Sequence, residues 1–167
     1  MQAGPRCWSP PVTGWMKINI DAATFPGEGS VGVSSVIRNE LGEFVRARVK
    51  KIRVHVQPRE AEALGLKEAL AWAKSLGLKK CIFETDSKLL ADACKGEQGR
   101  SYFHTIVLDC IQFFKHFDEM LVQFVHRSAN EVAHTLARAT HSMSDSQEWV
   151  DVAPGIIYDV LINDLIY

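Results

Sequence analysis

Nothing in these 167 residues approaches the roughly 20 consecutive apolar residues that a membrane-spanning helix needs. Nor does the N-terminus carry a basic segment followed by an apolar signal core, so the sequence predicts an intracellular chain, cytoplasmic or nuclear, with no membrane contact. The four cysteines, Cys7, Cys81, Cys94 and Cys110, lack CxxC spacing; they suggest neither a zinc module nor a disulfide framework, and reduced thiols follow. A basic excess is missing as well. Lys and Arg number 19 against 20 Asp and Glu, for a net charge of -1, so a nucleic-acid partner must be held by a local patch rather than by overall charge. Lys50, Lys51, Arg53 and Arg59 form one candidate patch, with a solvated strand edge as the alternative.

What remains is the composition of an ordinary globular domain, 47% hydrophobic and 23% charged, long enough to bury its own core. Residues 1–14 are broken by Gly4, Pro5, Pro10, Pro11 and Gly14 and read as an irregular lead-in. From Trp15 to Asp21 polar and apolar residues alternate as in a strand, with Met16, Ile18 and Ile20 on one face and Lys17, Asn19 and Asp21 on the other. A turn at residues 25–29 leads to two Val- and Ile-rich runs, residues 31–38 and 44–56, joined by Asn39-Glu40-Leu41-Gly42 as an antiparallel hairpin. Helical periodicity takes over at residues 59–75, with Gly77 as its stop. Residues 81–86 read as a strand, and Ser87 as the cap of a helix that ends at Gly96 to Gly99. A helix over 105–117, a strand over 121–125 and a helix over 130–140 follow.

The order is βββαβα(α)βα, which predicts an α/β domain over residues 15–142, a mixed sheet with helices packed on it. The tail, residues 143–167, is polar and then apolar, and should dock on the domain as a short helix or strand or meet another chain.

Three acids stand out by position. Asp21 closes the first strand-like run, Asp86 closes the run from Cys81, and Glu62 lies near the head of the long helix. Glu60 competes for that last place, but the two side chains point about 200° apart on a helix. Glu62 shares the apolar stripe with Gly65, Leu66, Ala69, Leu70 and Ala73, so it faces the core, and Gly65 lets the helix approach a strand closely. Taken singly, Asp86 is equally a helix cap and Asp21 a turn residue. Converging, the three repel one another and call for a hard cation, and oxygen-only ligands suit Mg²⁺ or Mn²⁺. A pair of such ions is the arrangement that serves phosphoryl chemistry.

Several ordered stretches stand out together: Trp8-Ser9-Pro10-Pro11 with residues 14–23, Gly32-Val33 to Arg38-Asn39 with Gly42-Glu43-Phe44, Ala61-Glu62-Ala63-Leu64 to Ala69-Leu70, Glu84-Thr85-Asp86-Ser87, and residues 127–137. In these stretches the chain resembles the ribonuclease H-like family, in particular plant domains similar to the ribonuclease H portion of retroelement polyproteins. The resemblance implies a ribonuclease H-like fold with a five-stranded mixed sheet, and metal-dependent cleavage of the RNA strand of an RNA–DNA hybrid. It carries the metal-binding roles onto Asp21, Glu62 and Asp86. Hybrid recognition in such enzymes runs through 2′-hydroxyl and backbone contacts, for which Ser87, Lys88, Arg59 and Asn130 are the candidates here.

The chain departs from the pattern at the fourth acid, where His134 stands in place of an Asp. A histidine adds no negative charge and is a poor Mg²⁺ ligand. The family's mobile histidine is also missing at its spacing, where Phe124 stands, with His126 nearby to substitute. Three readings follow. One is a ribonuclease H-type hydrolase of low activity, with His134 or water completing the metal shell. Another is a non-catalytic module that binds hybrid or structured RNA. The third is a divalent-metal-binding or interaction domain on the same fold.

Overall fold

A computed structural model describes residues 4–96 and 99–166. Its strands are β1 (Met16–Phe25), β2 (Ser30–Arg38), β3 (Phe44–Ile52), β4 (Lys80–Thr85), β5 (Glu119–Phe124) and β6 (Gln147–Val150). Its helices are α1 (Pro58–Ser75), α2 (Lys88–Ala93), α3 (Tyr102–Phe113), α4 (Glu131–Ala139) and α5 (Tyr158–Ile166). The sheet order is β5-β4-β1-β2-β3-β6. β1, β2 and β3 pair antiparallel, while β4 joins β1, and β5 joins β4, in parallel, giving the mixed α/β sheet that the element order predicts.

The sheet has six strands rather than five. The sixth comes from the tail: Gln147–Val150 pairs antiparallel with β3, and Glu148 accepts from Trp72 Nε1 at 3.1 Å, tying this edge to α1. α5 then packs back near α4, so the tail supplies both a strand and a helix. β3 stops at Ile52, short of Val56, and α3 starts three residues ahead of Thr105. Ser87 caps α2 as its sequence suggests, accepting from Leu90 N at 3.2 Å. Of the stop signals beyond α2, Gly96 adopts a left-handed φ of 104°, and residues 97 and 98 lie outside the described range.

Helices cover both faces. On one, α1, α2 and α3 bury Ile18, Ile20, Ile37, Leu66, Leu70, Phe83 and Phe103; on the other, α4 and the tail bury Val36, Ala47, Val49, Val132, Leu136 and Ile157. Adjacent residues Val36 and Ile37 therefore serve opposite cores, as strand alternation requires. The polar face of β1 is buried too: Lys17 is 5% exposed, Asn19 0% and Asp21 1%. Buried polar groups need partners, and most of these have them. Lys17 Nζ donates to Ser9 O at 2.6 Å and pairs with Glu84 at 3.3 Å; Glu84 also accepts from Asn19 Nδ2 and Gln123 Nε2.

Arg38 is the largest fully buried side chain. Its guanidinium donates to Asp164 of α5 at 2.8 Å and to Asn19 Oδ1 at 2.9 Å, and stacks on Trp8 with 3.7 Å to the ring centroid. Lead-in, sheet and tail thus converge on one cation. Close approach of α4 to the sheet depends on Gly32 of β2, where an added Cβ would stand 1.7 Å from Thr140 Oγ1. Gly65 of α1 is different: a Cβ there would meet Asp21 O at 3.5 Å and Val33 at 3.6 Å. α1 does lie close over β1, as the sequence suggests, but with room for a methyl group.

Candidate active site

Three elements deliver the three acids. β1 continues to Phe25, so Asp21 sits inside the strand rather than at its end. The parallel register sets Asn19 beside Glu84, and two residues further on it brings Asp21 level with Asp86, just past the end of β4. The Asp86 turn is held by Thr85 Oγ1, which accepts from Ser87 N at 3.1 Å. Glu62 comes from the N-terminal part of α1, whose entry is fixed by Glu60: its carboxylate accepts from Gln57 N at 2.9 Å. The two glutamates that helical geometry separates thus have separate tasks, one capping and one facing inward.

One oxygen from each of Asp21, Glu62 and Asp86 falls within 4.8 Å of the others. Asp21 Oδ1 and Glu62 Oε2 are buried with no hydrogen-bond partner among the described residues. Burial, reinforced by the Asp86 charge, raises Asp21 above the ordinary carboxylate value, against hydrogen bonds from His134 and Glu62. Glu62 is pushed well above its ordinary 4.5, first by burial and then by Asp21 and Asp86. A cation held by these oxygens would relieve the mutual repulsion that pushes both groups up. Unpartnered, convergent carboxylate oxygens with no sulfur or neutral nitrogen between them fit a hard divalent ion.

His134 projects from α4 with Nδ1 2.9 Å from Asp21 Oδ2, and its Nε2 is 3.1 Å from Arg127 Nη1. Arg127 donates only, so Nε2 accepts and Nδ1 carries the hydrogen given to Asp21. His134 therefore orients Asp21 rather than presenting a lone pair to the cluster. Arg127 also donates through Nε to Asp86. Arg127 is absent from the sequence candidates. Its signal was its place in the turn Arg127-Ser128-Ala129-Asn130 leading into the helix of His134.

The proposed substrate contacts fare unevenly. Asn130 is fully buried, giving Nδ2 to Ile20 O at 2.9 Å and accepting from Asn19 Nδ2 at 3.0 Å, so it anchors the start of α4 and offers no group to a substrate. Ser87 spends its hydroxyl on capping α2, Lys88 pairs with Asp92 at 2.8 Å, and Arg59 lies over Phe103 at 5.6 Å. Lys88 stays exposed, two residues past Asp86 in the chain. The candidate basic patch is divided. Lys50 and Lys51 point to opposite faces of β3, one to Glu68 of α1 at 3.2 Å and the other to Glu28 at 2.9 Å. His126 lies beside Phe124, 5.3 Å between rings, with Nε2 buried and unpartnered among the described residues. The lead-in holds this turn: His126 N donates to Pro5 O and Ser128 Oγ to Arg6 O.

A family model described as reverse transcriptase-like matches residues 19–140, a span that contains Asp21, Glu62, Asp86 and His134. The chain belongs to that family. It is 27% identical over 160 residues to an Arabidopsis thaliana protein named provisionally as a ribonuclease H protein, covering 94% of this chain but only 25% of that one. RNase H1 from the archaeon Halobacterium salinarum matches with a TM-score of 0.69 at 22% identity, over 76% of this chain and 97% of that one. LC11-RNase H1, solved in complex with an RNA/DNA hybrid, matches at 0.65 and 17%, over 74% and 94%. These likenesses establish a ribonuclease H fold. No helix among the described residues is long and apolar enough to cross a membrane.

Proposed function

We propose that this domain is a divalent-metal-dependent ribonuclease H-type hydrolase that cuts the RNA strand of RNA–DNA hybrids. The observation that carries the reading is the meeting of Asp21, Glu62 and Asp86, drawn from three separate elements of this fold, with ligand oxygens within 4.8 Å. Asp21 Oδ1 and Glu62 Oε2 would hold Mg²⁺ or Mn²⁺, with Asp86 closing the third side. Such an ion, when bound, supplies charge to the phosphate and acidity to a coordinated water.

The protein's own groups supply positioning. His134 fixes the Asp21 carboxylate, Asn130 and Asn19 lock the start of the helix that carries it, and Arg127 places a positive charge at the rim where a phosphate would approach. The reaction adds water to phosphorus and breaks one P–O bond of the RNA backbone, the departing oxygen taking a proton. With one fewer acid than the four of its fold relatives' pattern, turnover should be slow. A labelled hybrid incubated with Mg²⁺ or Mn²⁺ tests this: the parent cuts and Asp86→Asn does not. Equal cutting by both would exclude the site.

A second reading, binding of hybrid or structured RNA without cleavage, is favoured by the basic partners already on two acids, His134 on Asp21 and Arg127 on Asp86. It predicts salt-sensitive binding with a shallow slope, reflecting few phosphate contacts, and no product.

A further inference from the structure

We propose that Arg127 is a built-in counter-cation that limits this acid cluster to a single divalent ion. The inference rests on reading Asp21, Glu62 and Asp86 as a cation site. It concerns how many ions that site takes and which residue sets the number.

Two sides of the cluster differ. On the Asp21–Glu62 side, Oδ1 and Oε2 are buried and without partners among the described residues, an open position for one ion. On the Asp86 side the guanidinium is already in place. Arg127 donates through Nε to Asp86 Oδ2 and through Nη1 to His134 Nε2, while His134 gives Nδ1–H to Asp21 Oδ2. Arg127 and His134 thereby occupy the oxygens that a second ion between Asp86 and the α4 position would need. The charges agree with the geometry. Three ionised carboxylates carry three negative charges, and Arg127 returns one; the remaining two are neutralised by one divalent ion. A second ion would bring the cluster to two positive charges with Arg127 in place but to only one without it, so the guanidinium adds to the cost of the second ion, and the neutral histidine at 134 contributes nothing to offset it. The Arg127 side chain is half exposed, 52% against 8% for Asp86, so its removal opens the site without emptying a core.

Mn²⁺ titrations of the full chain, by calorimetry for affinity and electron paramagnetic resonance for the count of bound ions, test this directly. The parent and Arg127→Lys, which keeps the charge, should bind one ion. Arg127→Ala should bind two, with the first held about tenfold more tightly once the repelling cation is gone. Circular dichroism of each variant checks that the fold is retained. Two ions on the parent, or one on Arg127→Ala, overturns the proposal while leaving the cation site standing. No Mn²⁺ on any of the three folded proteins overturns both this inference and the reading beneath it.

Discussion

Glu62→Gln should make the metal-free protein more stable and cost it most of its response to divalent ions. With oxygens within 4.8 Å, two like charges at an effective dielectric near 20 repel by about 3 kcal/mol. The raised protonation of Glu62 and the Arg127 partner of Asp86 relieve part of that load. A net gain of about 1–2 kcal/mol for the glutamine variant at neutral pH corresponds to roughly 2–8 °C in Tm for a domain of this size. The glutamine amide can donate to Asp21 Oδ1, which has no partner among the described residues.

The pH dependence has a definite sign. Glu62 and Asp21 both sit above their unfolded values, so their contribution to stability is complete below about pH 4. It is lost as pH rises through the raised folded values. The gap between variant and parent should therefore be small in acid and widen toward neutrality. Addition of Mn²⁺ reverses the order: at about 100 times its Kd a ligand stabilises the parent by about 2.7 kcal/mol, and the variant gains far less. Thermal melts in EDTA and in Mn²⁺, at several pH values, read all of this. A metal-free Glu62→Gln that melts below the parent at neutral pH would refute the reasoning.

Other perturbations follow from packing and charge. Gly32→Ala sets a methyl 1.7 Å from Thr140 Oγ1 and should cost about 1–3 kcal/mol in denaturant melts by forcing α4 off the sheet. Gly65→Ala has room at 3.5 Å and should instead gain up to about 1 kcal/mol from helix propensity. Asp164→Ala leaves Arg38 buried without its carboxylate, a loss of about 3–5 kcal/mol that would show the tail to be part of the folding unit. His134→Asp restores a fourth acid, and Mg²⁺-supported hybrid cleavage should rise above the parental rate.

Position along the chain exposed the three acids, because a carboxylate at the edge of an apolar run is conspicuous. Helical geometry also separated Glu62 from Glu60, and the structure gives the two different partners. What stayed hidden depended on long-range pairing. Asp21 read as a strand end because the polar–apolar alternation stops at Ala22-Ala23, yet pairing with β2 carries the strand to Phe25. The sixth strand is only Gln147–Val150, too short and polar to announce itself without β3 alongside. Lys50 and Lys51 looked like one patch because they adjoin in sequence, whereas neighbours on a strand lie on opposite faces. Asn130 resembled a free polar group until Asn19, 111 residues away, closed on it. Arg127 drew no attention for the same reason, since its partners Asp86 and His134 meet only in the folded chain.

Crystals soaked in Mn²⁺ and measured at the manganese edge offer the most direct test of the central claim. An anomalous peak is expected within coordination distance of Asp21 Oδ1 and Glu62 Oε2. A fully soaked crystal with no peak there would contradict it.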